Sequence, residues 1–357
     1  MKRFYEELVA LAQAHVPVAV ATVIGSKGST PREVGAKMIV LGEERILGTV
    51  GGGCGEAQVI LDAVRILEGE APRISRVDLT GELNDLSQTN CGGIMEIFVD
   101  RLRWEELPPA LGIAPREAVE VILDANAKRR RVILATVVEN QEDQLAFPVG
   151  TKWVLEADGQ MHGTLPSGPL GDILRREAAG VFARGQSRRI RMVSEGHPLV
   201  TTRKEARMSL FLEVIAPPPE RVIVGAGHIA VPLAKIGKVL DFEVTVLDDR
   251  PAFARRERFP EADRVIVGWI DDVLRQYPVG PGTHLVLVTR GHKLDEAALK
   301  IVIDKRASYL GMIGSQRRVR EVFRNLREFG IAEELIRRVH APIGIEIGAE
   351  TPAEIGL

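Results

Sequence analysis

Residues 222–235 read VIVGAGHIAVPLAK, and the way this stretch turns decides the fold of the carboxyl-terminal part of the chain. Val222 to Val224 form an apolar, β-branched run; Gly225, Gly227 and Ala230 follow in GxGxxG/A spacing, and a helical pattern opens directly behind them. Glycine at such a turn lets the backbone approach a pyrophosphate, and the first amides of the helix face it. RVIVGAG is followed by EVTVLDD, RVIVGW, HLVLVTR and YLGMIG, five apolar strands separated by helical segments. That alternation predicts a Rossmann-like, doubly wound parallel sheet over residues 220–357. The second strand ends in Asp248, where a carboxylate could accept from a ribose 2′-hydroxyl and would repel a 2′-phosphate, so NAD suits the site better than NADP. The same glycines also serve helix–strand packing in a domain that binds nothing.

Ligands of open α/β sheets lie beyond the carboxyl ends of the strands. Two further loops fall there: TRGHKLD brings Thr289, Arg290 and His292, and MIGSQRR brings Gly314 and Ser315. His340 begins HAPIGIEIG. His292 and His340 could pair around a ligand; separately, each reads equally well as a surface or packing histidine.

Upstream of the stiff APPPE linker, residues 216–220, the pattern is different. An amphipathic helix leads into VPVAVATVIG, then GSTPREVG as a loop, AKMIVLG and RILGTVGG as strands, a helix from about Glu56 to Glu68, and MEIFVDRL as a closing strand. After Pro108, Pro109 and Pro115 the order begins again: RVILATVVE matches PVAVATVIG, GTKWVLEADG matches GAKMIVLGEE, and MSLFLEVIAP closes the unit. The reading is a duplicated α/β region, residues 1–105 and 113–216. The copies differ in their loops. GSTPR, GGGCG and NCGG occur in the first copy only; the second has ENQEDQLAFPVG and LPSGP in the first two places and nothing similar in the third. Residues that a duplication does not share are not demanded by its architecture, which assigns the site to the first copy.

The bulk properties narrow the class. With 357 residues, 45% hydrophobic and a formal charge of -2, the chain carries no broad positive field, so neither nucleic acid nor an anionic membrane is expected as a partner. The KRRR run at 128–131 reads as a solvated helix end. No apolar segment is long enough to cross a bilayer and the amino terminus lacks a signal-peptide pattern, so a cytoplasmic location is expected. The two cysteines, Cys54 and Cys91, can form neither a CxxC pair nor a complete structural zinc site.

GSTPR, GAKM, GGGC and CGG in this order, followed by VGAG, DDR, TRGH, GMIGS, HAPIG and IGAETP, resemble the xanthine dehydrogenase accessory factor family, the XdhC/CoxI type, over nearly the whole length. The resemblance implies a chaperone that binds molybdenum cofactor (molybdopterin), supports its sulfuration and delivers it to an apo molybdenum hydroxylase of the xanthine dehydrogenase type, with a cysteine desulfurase as a further partner. A thiolate is a soft ligand suited to a transition metal, and a helix amino terminus favours the thiolate form. Carried over by motif, Cys54 is the candidate contact to molybdenum or to a sulfur in transit, with Gly51, Gly52 and Gly53 making room; a small apolar residue in a tight turn is the plainer reading. Arg32 and the hydroxyls of Ser29 and Thr30 could hold the pterin or its phosphate. Cys91 is a weaker candidate. A homodimer is the expectation from the general habit of soluble proteins. The competing readings are an NAD-dependent oxidoreductase, with His292 or Cys54 beside the substrate, and an NAD-linked redox sensor acting through Cys54.

Overall fold

Buried on both faces, the run from Val18 to Ile24 is a central strand between two hydrophobic layers. The computed structural model describes residues 2–79, 92–104, 112–141, 147–165, 169–192 and 207–357. The chain divides into two units, Met1–Pro217 and Pro218–Leu357.

In the first unit the elements run α1 (Lys2–Gln13), β1 (Val18–Lys27), β2 (Lys37–Val40), β3 (Ile46–Gly48), α2 (Gly53–Leu67), β4 (Arg73–Asp78) and β5 (Ile94–Leu102). The series then repeats as α3 (Pro115–Ala127), β6 (Val132–Asn140), β7 (Lys152–Glu156), β8 (Met161–His162), α4 (Pro169–Arg184), β9 (Arg188–Met192) and β10 (Met208–Ile215). The two five-stranded antiparallel sheets have equivalent orders, β3-β2-β1-β5-β4 and β8-β7-β6-β10-β9, so the region is a duplication in topology as well as in sequence. β4 and β9 were not legible as strands. RISRVD and RRIRM are rich in arginine because they lie at sheet edges, where charge blocks further pairing.

Alternation along β1 explains its apolar density. Ala19, Ala21 and Val23 pack on Val59, Ala63 and Ile66 of α2, while Ile24 on the opposite face meets Phe98, Val138 and Phe211. The latter four are two duplicated pairs, one from each copy. Around this contact the copies exchange buried charges: Lys37 of β2 reaches Glu213 of β10 at 2.8 Å, and Lys152 of β7 reaches Asp100 of β5. These pairs, Thr22, Thr136 and Tyr5 line a cavity of about 60 Å³ between the copies. The Tyr5 hydroxyl and Oε1 of Glu213 are buried there without a hydrogen-bond partner.

The second unit contains β11 (Glu220–Val224), α5 (Ala230–Val239), β12 (Glu243–Asp248), β13 (Arg264–Val267), α6 (Ile270–Gln276), β14 (Thr283–Leu287), α7 (His292–Val302), β15 (Tyr309–Met312), α8 (Gln316–Glu328), α9 (Glu333–Ile336), β16 (Val339–His340) and α10 (Pro352–Gly356). Its sheet is wholly parallel, in the order β13-β12-β11-β14-β15-β16, which is the doubly wound Rossmann order. Two cores cover its faces. One joins Ile223 and Val246 to Ala230 and Ala234 of α5; the other joins Val222, Leu285 and Leu310 to Leu299 of α7 and Val322 of α8. The sixth strand is only two residues long, too short for a sequence pattern to register.

Candidate functional site

The loops found only in the first copy meet at one end of its sheet. Gly93 backs directly onto the GSTPR loop, and a Cβ there would strike the carbonyl oxygen of Ser29. A Cβ on Gly51 would lie 2.7 Å from Cγ of Pro31, which places the glycine turn against the same loop. Leu79 holds the third segment in place, accepting from Gly92 N–H at 3.1 Å and donating to Gly93 O at 2.8 Å. Ser29, Arg32, Gly52 and Gly53 are exposed here, and Thr30 donates to the carbonyl of Arg32 at 3.1 Å. The Arg32 guanidinium makes no ion pair with any described residue.

Cys54 is the second residue of α2, which starts at Gly53 rather than at Glu56. Its side chain, like the whole of Cys91, lies outside the described residues. Among the described residues no group of three His, Cys, Asp or Glu side chains could hold a metal ion.

Glu56, which sequence reasoning did not single out, organises the turn. Its Oε2 accepts from the Thr49 hydroxyl at 2.5 Å and from the amides of Val50 at 3.0 Å, Gly52 at 3.1 Å and Gly51 at 3.3 Å. Partial burial alone would raise its pKa; the Thr49 hydroxyl and the three amides overcome that and hold the carboxyl below its ordinary value. The amides of this bare turn are therefore engaged by the protein's own carboxylate. What the turn leaves open is the space above Gly52, where an added Cβ would meet nothing. The available signal was an acidic residue in the first turn of a helix, a position favoured by the helix dipole.

At the carboxyl edge of the second unit's sheet, Gly225 has φ +107° and packs so closely that a Cβ would lie 2.6 Å from Val288 O. Gly227 faces open space, and Ala230 is buried at the first position of α5. Asp248 is buried and directed inward: one oxygen accepts the Ala226 amide at 2.6 Å, and the two together receive the Arg250 side chain at 2.8 and 2.9 Å. Burial would raise its pKa, but the Arg250 guanidinium and the Ala226 amide outweigh it and hold the carboxyl at about 2. Arg258 donates to the Ala226 carbonyl at 2.7 Å, so the peptide at the centre of the glycine turn is fixed from both sides.

Thr289 donates to the fully buried Asp295 at 2.5 Å, and Asp295 is paired with Arg318 of α8. Burial raises the Asp295 carboxyl above its ordinary value despite those partners. Arg290 forms a two-pronged ion pair with Asp249, at 2.6 and 2.8 Å. Ser315 caps α8 by accepting the Arg318 amide at 3.3 Å, directly after Gly314. The two histidines occupy different surroundings. His292 opens α7 and borders a surface cavity of about 680 Å³ with Glu296, Lys300 and Phe329, whereas His340 stacks on Tyr309 with ring centres 4.7 Å apart. Asp249, Arg250, Arg258, Asp295 and Arg318 are ordinary surface-type charges in the sequence, and only the fold gives them these partners.

No described helix is long and apolar enough to cross a membrane.

Comparison with known proteins places this geometry. A protein from Bacillus subtilis named as a probable xanthine dehydrogenase component is 25% identical over 360 aligned positions, covering 100% of this chain and 95% of the relative. The uncharacterised protein YqeB from Escherichia coli K12 is 30% identical over 207 residues, 57% of this chain and 38% of that protein. A crystal structure described as a xanthine dehydrogenase from Bacillus halodurans shares the fold with a TM-score of 0.73, at 23% identity over 99% of this chain and 92% of that one. The family model described as XdhC and CoxI family matches residues 11–78 and 125–193, one stretch in each copy, and the model described as XdhC Rossmann domain matches 222–357. On its two duplicated sheets, its Rossmann unit and these matches, the chain belongs to the XdhC and CoxI family.

Proposed function

We propose that this chain is an accessory factor that binds molybdenum cofactor in the first copy and supports its sulfuration and insertion into a xanthine dehydrogenase-type molybdenum hydroxylase. Membership of the family, and a relative aligned along the whole chain and named as a probable xanthine dehydrogenase component, support the accessory role and the class of partner. The single observation that carries the choice of site is the meeting of GSTPR, GGGC and CGG, three segments absent from the otherwise equivalent second copy.

The donor set fits an anionic pterin. Arg32 offers a guanidinium shaped for phosphate and not engaged by any described carboxylate, Ser29 and Thr30 add hydroxyls, and the space over Gly52 admits a bulky group. Cys54, at the head of α2, supplies the soft ligand type. When bound, the cofactor contributes a dithiolene-held molybdenum. The chain's own part is to hold it, keep the turn in shape through Glu56, and release it to the client.

The test is co-expression with cofactor-synthesis genes, purification, and assay of released pterin and molybdenum. Wild type should retain both, Cys54→Ser should lose molybdenum or its transferable sulfur, and Arg32→Ala should lose pterin. Wild type that never carries pterin, or variants that carry as much as wild type, would refute the reading.

A further inference from the structure

In the second unit, Asp248 is committed inward, while the adjacent Asp249 is committed across the sheet. Asp249 follows the last residue of β12 and Arg290 lies beyond the end of β14; β11 separates these strands, and its glycine turn lies between their ends. Two strand spacings amount to roughly 10 Å, so the Arg290 side chain has to bridge the carboxyl edge of β11 to reach Asp249. The two bonds, 2.6 and 2.8 Å, have fork-on-carboxylate geometry. The Asp249 side chain is 7% exposed beneath a guanidinium that is itself 45% exposed. This is the position where strand order reverses in the sheet, the crevice in which open α/β sheets take their ligands. The turn below it is prepared for a ligand: Ala226 is pinned through both its N–H and its carbonyl, and Gly227 faces open space.

We propose that Asp249 and Arg290 form a latch over a crevice for a diphosphate-bearing ribonucleotide. In the free protein Asp249 neutralises Arg290 and holds it across the mouth. A diphosphate at the glycine turn competes for the same guanidinium, so binding and the ion pair exclude one another. Freed from Arg290, Asp249 is the carboxylate available for ribose hydroxyls, the part that Asp248, buried under Arg250, does not offer. This concerns the second unit alone and is independent of the pterin reading.

The experiment is calorimetric titration of the full chain with 2′,3′-dideoxy-ADP, which lacks the ribose hydroxyls so that their contacts do not enter, in wild type, Asp249→Asn, Arg290→Gln and the double variant. Opening a two-pronged exposed pair corresponds to about three- to tenfold in affinity. Asp249→Asn should bind that much tighter than wild type, and the gain should vanish in the Arg290→Gln background. An equal gain in both backgrounds would show plain charge repulsion by Asp249 and overturn the latch. So would absence of binding in all four proteins at millimolar probe. With ADP in place of the dideoxy compound, wild type should bind tighter than with the dideoxy probe, and Asp249→Asn should lose that preference; a preference that survives the substitution removes Asp249 from the ribose.

Discussion

Replacing Glu56 by Gln tests whether the glycine turn is organised from within. Four donors converge on one carboxylate oxygen: a hydroxyl at 2.5 Å and three amides between 3.0 and 3.3 Å. Hydrogen bonds to a charged acceptor contribute about 1.5–3 kcal/mol each when fully buried. Glu56 is only half-buried, the bonds share one oxygen, and a glutamine carbonyl would keep the weaker neutral part, so the net loss should be about 1–2 kcal/mol. For a unit of this size that lowers the melting temperature by about 2–8 °C. The sign of the pH dependence follows from the depressed carboxyl. A folded-state pKa below the unfolded value of about 4.3 stabilises above that value, and the contribution is lost as pH falls through the folded pKa. The gap between wild type and Glu56→Gln should therefore be full at pH 7 and narrow below about pH 4. Circular dichroism melts across this range measure it, and amide hydrogen exchange at Val50, Gly51 and Gly52 localises it. Unchanged protection of those three amides in the variant would refute the reasoning, even if the melting temperature moved.

Lys152→Met should destabilise by about 2–4 kcal/mol in denaturant unfolding, because Asp100 is left buried without its cation, whereas Tyr5→Phe in the same cavity should be neutral or stabilising by up to about 1 kcal/mol, since its hydroxyl has no partner to lose. Gly93→Ala should force the GSTPR loop away and raise hydrogen exchange over residues 28–32, because the added methyl meets backbone rather than a yielding side chain. Asp248→Asn should flatten the acid stability profile of the second unit: the wild-type contribution is present above about pH 4 and lost as pH falls through the folded value of about 2, and a variant with the wild-type profile would contradict the inward role of this carboxylate.

Sequence periodicity determined much of this molecule. Strict alternation of apolar strands and helices behind the APPPE linker already implied a parallel sheet, because strands covered on both faces must be apolar throughout. The duplication was equally readable, since both copies repeat the same core positions, and the loops that differ between copies pointed to one end of the first sheet. Other features depended on partners distant in sequence. β4 and β9 look polar until their place at sheet edges is known. Glu56 occupies amides that seemed available to a ligand; Asp248 faces its own turn and Asp249 faces Arg290, although the two aspartates are adjacent and chemically identical. A sequence states which charges exist. The partner of each charge is set by strand order in three dimensions, which brings Asp249 and Arg290, 41 residues apart, to the same edge.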